Sequence, residues 1–222
     1  MSHYYAVRPY GVALDGAMIK RILVFGWPLM TNGLLMFLIL NGDRMIVGNQ
    51  FGPATLGWFS AAFLLSMSPS LIIGKTLQTL FLPTLSRRHQ EGRGFDMTAR
   101  AAVQASVIAG LGLAVALATV GPFIFLLLFG PRFEPALPFL VLLGLLQGIR
   151  ISKSGPSIIS IATGRTTDPL TANLVRICAL PIGVAVVLSG GTVTQLVAIS
   201  ILGEIAALFT ALFLVNRRTG LA

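Results

Sequence analysis

Charge is scarce in this sequence: Asp, Glu, Lys and Arg make up 10% of its 222 residues, where a water-soluble domain carries about a quarter. With 55% hydrophobic residues and a mean hydropathy of +0.86, that excludes a soluble globular enzyme and puts the chain in a bilayer. Cysteine is nearly absent. The single Cys178 excludes a disulfide framework and any multi-cysteine metal site, and its apolar setting, RICALP, reads as a buried, inert thiol. The two histidines, His3 and His89, lie in polar flanking segments, so no imidazole is expected inside the membrane for metal or proton work. No glycine-rich loop followed by Lys-Ser/Thr opens a helix, which excludes ATP-driven transport within the chain. No cofactor, no metal and no enzymatic chemistry are expected. Residues 1–20 hold Arg8, Asp15 and three tyrosines but no continuous apolar core, so the first apolar stretch is expected to serve as an uncleaved start-transfer helix.

What is present is long apolar runs. A helix needs roughly 20 residues to cross about 30 Å of hydrocarbon, and six runs qualify, at about 22–41, 57–82, 102–129, 136–161, 168–189 and 193–215. Turn chemistry separates them: Asn41-Gly42-Asp43, Gly52-Pro53, Gly92-Arg93-Gly94, Gly130-Pro131, Gly164 to Pro169, and Gly190-Gly191. The expected organisation is a cytoplasmic segment 1–21, a six-helix transmembrane bundle over 22–215 and a cytoplasmic tail 216–222. The longest aqueous loop, about 83–101, is basic and suits anionic headgroups.

Positive charge predominates, 16 Lys+Arg against 7 Asp+Glu for a formal +9. A chain this apolar lacks the solvated surface of a nucleic-acid groove, so no nucleic acid is expected as partner. A cytoplasmic N-terminus puts ten cations inside (Arg8, Lys20, Arg21, Arg87, Arg88, Arg93, Arg100, Arg165, Arg217, Arg218) and two outside, Arg44 and Arg132. The positive-inside rule selects this orientation, with both ends cytoplasmic.

Four cations remain within spans: Lys75, Arg150, Lys153 and Arg176. Each costs about 2.5–3.5 kcal/mol at a lipid-exposed helix centre. Arg150 is deepest; the others lie about 10–12 Å from the cytoplasmic end at 1.5 Å per residue, where snorkelling to the headgroups competes with a role inside the bundle. Helical spacing puts Gln147, Arg150, Lys153, Ser154 and Ser157 on one wide face of the fourth span, opposite Leu142, Leu145, Leu146 and Ile149. Ser68, Lys75, Gln78 and Thr79 share a face of the second span, and Asn173 and Arg176 lie three apart in the fifth. This pattern predicts a hydrated, cationic interior opening toward the cytoplasm. The third span has only Thr119 as a polar side chain from Val107 to Gly121 and reads as peripheral.

Glu204 is the one mid-span carboxylate, with Ser200 a turn earlier on its face. It is a candidate coupling site, although pairing with Arg150, Arg176 or Lys153 is the favoured reading. Asp43 with Arg44 reads as an interfacial ion pair or helix-end cap. Pro28, Pro69, Pro122, Pro156 and Pro181 fall inside spans and favour kinks, as in transporters with discontinuous helices. Gly144-x-x-x-Gly148 permits close helix contact.

Residues 20–90 also carry a family resemblance: Pro28-Leu29 early in the first helix, Asp43-Arg44 followed by an apolar run and Phe51-Gly52, Leu56-Gly57 with an aromatic and a small residue, then Pro83 with Ser86-Arg87. This resembles the start of the second half of a polysaccharide flippase of the O-antigen and exopolysaccharide kind, in the superfamily that holds the multidrug and toxin extruders and the lipid II flippases. The resemblance implies an all-α polytopic membrane protein, a six-transmembrane-helix bundle forming one lobe of a MATE-like two-lobed transporter. It also implies transfer of an undecaprenyl-pyrophosphate-linked glycan across the bacterial inner membrane by alternating access. The cations Arg150, Lys153, Arg176 and Lys75 would then meet the diphosphate, and Gln147, Ser154, Ser157 and Asn173 the sugar hydroxyls.

Such transporters have twelve or more spans, against six here. The favoured expectation is the second half of a split or truncated gene; a separate first half or a homodimer are the alternatives. Two other functions compete: half of a cation-coupled multidrug exporter, which needs acidic groups along its path, and a non-transporting remnant or scaffold for glycan assembly.

Overall fold

The computed structural model describes residues 16–219; His3, Arg8 and the rest of the N-terminal segment before residue 16 lie outside them. The described residues are helical throughout, without strands. The first helix, α1 (Gly16–Glu91), has 76 residues, several times what a bilayer of about 30 Å requires. Gly52 divides it into two limbs, 16–51 and 53–91, at φ 80° and ψ 174°, which only glycine adopts without strain. Pro53 follows at the start of the second limb, where a missing N–H costs nothing. By contrast Asn41-Gly42-Asp43, expected as a turn, stays helical. In hydrocarbon a break would strand backbone hydrogen-bonding groups.

The second limb runs on to Glu91 and α2 (Phe95–Thr119) begins four residues later, so the expected loop of about 83–101 shrinks to a tight turn. There Arg88 Nη1 donates to the Gly94 carbonyl at 3.0 Å. Beyond α2 the third pass continues as α3 (Gly121–Phe129), interrupted at Val120 just before Pro122. A 3₁₀ turn, Pro131–Ala136, leads into α4 (Leu137–Ala162). The fifth pass is likewise in two pieces, α5 (Thr167–Ile177) and α6 (Ala179–Leu188), jointed at Cys178 ahead of Pro181. The joint leaves Cys178 exposed, correcting the expectation of a buried thiol. Pro69 and Pro156 sit in uninterrupted helix, so proline alone does not select the breaks.

The last helix, α7 (Val193–Thr219), opens with a reciprocal cap. Thr192 N–H donates to Gln195 Oε1 at 2.8 Å, and Gln195 N–H to Thr192 Oγ1 at 3.3 Å. Thr192→Ala is therefore expected to cost about 1 kcal/mol, read as an earlier unfolding midpoint in detergent; an unchanged midpoint would show the cap to be idle.

Among the described residues, five helical stretches are long and apolar enough to cross a membrane. The first of them comprises both limbs of α1, which gives six passes of an all-α polytopic fold. The central element is α4, packed against α1, α2 and α7 through Leu140, Leu143, Leu146 and Ile159, all buried. Its glycine face meets α2. A Cβ on Gly148 would lie 2.6 Å from the Gly110 carbonyl oxygen, and one on Gly144 2.8 Å from Leu117 Cβ. Ser106 Oγ donates across the interface to the Ser152 carbonyl at 3.1 Å. The third pass faces lipid along Ile108, Leu111 and Val115 and, in α3, Phe123, Leu127 and Leu128, while its small residues build the inner face that meets α4.

Candidate functional site

Four passes contribute charge to one point inside the bundle. Arg150 and Lys153 come one turn apart from α4, Arg176 from the end of α5, and Glu204 from the middle of α7. Glu204 and Arg176 are fully buried, and Lys153 nearly so. All three cations meet this carboxylate: Lys153 Nζ pairs with Oε1, Arg176 Nε donates to Oε2 at 3.1 Å and Arg150 Nη2 to the same oxygen at 3.5 Å. Burial at this depth is tolerable only for charges that neutralise one another. The expected open, hydrated cleft is therefore replaced by a packed cluster, because the cations find their counter-charge within the bundle.

The first limb of α1 completes it. Asp43 is buried, accepts from Ser200 Oγ at 2.9 Å and lies 3.8 Å from Arg176 Nη2. Arg44, its expected partner, points elsewhere: its guanidinium reaches Ser60 Oγ at 3.4 Å and covers the Phe63 ring at 5.7 Å. The cause is the unbroken helix. With Asn41-Gly42-Asp43 helical, residues 43 and 44 diverge by about 100° (3.6 residues per turn), so one enters the bundle and the other flanks it. Gly42 allows the approach of α6, since a Cβ there would meet Leu180 at 3.0 Å.

Amide groups extend the network. Gln147 Oε1 accepts from Arg150 Nη1 at 3.3 Å, Asn173 Oδ1 accepts from Lys153 Nζ at 2.9 Å, and Asn173 Nδ2 donates to Asn32 Oδ1. The hydroxyls of Ser154 and Ser157 are turned back onto their own helix, to the carbonyls of Ile151 at 2.6 Å and Lys153 at 3.0 Å. They keep lone pairs but have committed their protons. Lys75 lies apart from the cluster, exposed on the second limb of α1 beside Leu71, Ile72 and Thr79.

Of the candidates read from the sequence, Arg150, Lys153, Arg176, Gln147, Asn173 and Glu204 come together. Ser200, on the face of Glu204, joins them, and so do Asp43 and Asn32, which the sequence did not place there. The four-residue spacing of Ser200 and Glu204 signalled a shared face; nothing in one sequence signalled that Asp43 would answer it across 157 positions.

The cluster has an electrical bias. Three cations face two carboxylates, leaving one formal positive charge. Arg150 Nε, Arg176 Nη1 and Nη2, and Gln147 Nε2 are buried without a hydrogen-bond partner, whereas Glu204 Oε1 is taken by Lys153, so the unfilled donors outnumber the unfilled acceptor, Asp43 Oδ1. An arrangement with surplus donors and positive charge suits an anion. A separate tie closes one end of the bundle, where buried Asp168 accepts from Ser160 Oγ at 3.3 Å and pairs with Arg218 Nη1 at 2.8 Å.

Comparison with protein-family models gives a match to the polysaccharide biosynthesis protein family over residues 1–138, more than half of the chain. No curated protein and no solved structure matches.

Proposed function

As a member of the polysaccharide biosynthesis protein family, the chain is one for which we propose translocation of a lipid-linked oligosaccharide across the bacterial inner membrane, as one half of an alternating-access transporter. The observation that carries this reading is the buried cluster on four passes, with its surplus positive charge and surplus donors. A diphosphate linkage is the part of such a lipid that needs both. Arg150 is the most exposed of the cluster's charged side chains, at 12%, and is the group an incoming phosphate meets first. Lys153, Arg176, Gln147 and Asn173 stand behind it, while Ser154 and Ser157 offer lone pairs to sugar hydroxyls. Lys75 acts earlier, as a cation on the approach.

In this reading both termini are cytoplasmic, since that orientation gathers the basic residues on the side where donor lipids are made. A second six-pass half, or a second copy, supplies the opposing wall. A cation-coupled exporter would need a carboxylate free to take its ion, whereas Glu204 is engaged by three cations.

The test is Arg150→Ala introduced at the native locus, so that any partner half is still made. Polymer export is expected to stop and the lipid-linked precursor to accumulate, with the variant present at normal level. Undiminished export at normal protein level would overturn the proposal.

A further inference from the structure

The helices α2 and α7 both pack on α4 yet not on each other, and a slot of about 490 Å³ separates the start of α2 from the end of α7. Its walls are apolar: Val103 on one side, and Phe209, Leu212 and Phe213 on the other. Phe209 and Phe213 are 66% and 62% exposed, so in a bilayer the slot opens sideways into hydrocarbon. The end toward the helix termini is polar, with Arg100 and Asn216 at the mouth and Gln104 one turn deeper.

Charge at this mouth is of one sign. Asp96, one turn before Arg100, makes no ion pair with it, and no carboxylate lines the slot. Arg217 follows Asn216 directly, exposed, while Arg218 is already engaged by Asp168. Among the described residues neither Arg100 nor Arg217 has a salt-bridge partner, although Glu91, Asp96 and Asp168 lie on the same side of the bundle.

From this we infer that the α2–α7 slot is a binding site for an anionic phospholipid, its acyl chain between Val103 and the α7 phenylalanines and its phosphate on Arg100. The occupant must be amphiphilic, because the slot is reached from hydrocarbon and ends in unpaired cations at the membrane surface. A zwitterionic phospholipid fills the apolar part equally but brings an ammonium group to the arginines, so the site discriminates by headgroup charge. The inference needs only that the chain spans a bilayer, and stands or falls separately from the transport proposal.

Phe213→Trp places a reporter in the slot, to be read in vesicles by quenching with brominated phosphatidylglycerol or brominated phosphatidylethanolamine at equal mole fraction. The two native tryptophans, Trp27 and Trp58, lie on α1 and are subtracted with the parent protein. Phosphatidylglycerol is expected to quench at least twofold more strongly, and Arg100→Gln in the reporter background to abolish the difference while Arg132→Gln, exposed and away from the slot, leaves it intact. Equal quenching by the two lipids, or a preference that survives Arg100→Gln, would overturn the assignment. So would displacement of phosphatidylglycerol by an uncharged polyprenol, which would mean that the slot reads the chain and not the headgroup.

Discussion

Replacement of Glu204 by leucine is expected to destabilise the bundle by about 3–5 kcal/mol, the range for removing one partner of a buried ion pair. Glu204 is the counter-charge to Lys153, Arg176 and Arg150 together. Without it three cations face Asp43 alone, and of the three Asp43 meets Arg176 alone, at 3.8 Å. The cations have little room to escape, since Arg176 is fully buried and Lys153 is held at Asn173. The loss would be read by titration of the purified protein with a denaturing detergent. A charge-balanced double variant separates ion pairing from packing: Glu204→Leu with Lys153→Met leaves two cations and one carboxylate, the same surplus as the native cluster. It should recover a large part of the stability. A single variant within about 1 kcal/mol of the native protein, no worse than the double, would mean that the charges are not coupled as their geometry indicates.

The second large effect is steric. Gly148→Leu should cost about 3 kcal/mol, at the upper end of what overpacking does, because its Cβ would lie 2.6 Å from the Gly110 carbonyl oxygen and 3.0 Å from Ala114 Cβ. The nearer obstacle is backbone, which cannot rotate away, so α2 and α4 must separate along their whole glycine and serine seam. Gly112→Leu is the control. It lies on the partner helix α2, exposed, with nothing within 4 Å of its Cβ position, and leucine is the better helix former. The control is expected to be neutral or slightly stabilising. Equal effects from the two substitutions would show that α2 and α4 do not meet through this face.

Much of the architecture is legible in the sequence because hydrocarbon permits so few backbone arrangements. Gly52-Pro53, Gly130-Pro131 and Gly190-Gly191 interrupt the helices as their chemistry indicates, and the apolar runs between them are long enough to span. Asn41-Gly42-Asp43 misled for the same reason. A turn signal derived from water-soluble chains loses to the cost of exposing peptide groups in lipid, and the error hid Asp43 by placing it at a helix end. The third pass is peripheral, as its lack of polar side chains indicates, but its contact with α4 is not legible from polarity, because Gly110 and Ser106 build that inner face by being small.

For the site, helical phasing along α4 grouped Gln147, Arg150 and Lys153, and intramembrane charge singled out Arg176 and Glu204, since each is costly enough in lipid to require a reason. Phasing is a property of one helix. Which helix opposes it, and whether the charges there neutralise one another or line an opening, depends on how the passes are arranged. That arrangement brought Asp43, Ser200 and Asn32 to the cluster and left Lys75 outside it. The sequence by itself therefore determined that this is an all-helical membrane chain of six passes with unusual charge at depth, because burial in a bilayer acts on each residue locally. The tertiary structure alone decided that those charges form one closed, ion-paired centre, because pairing is fixed by contacts between residues from 28 to 157 positions apart that no local pattern encodes.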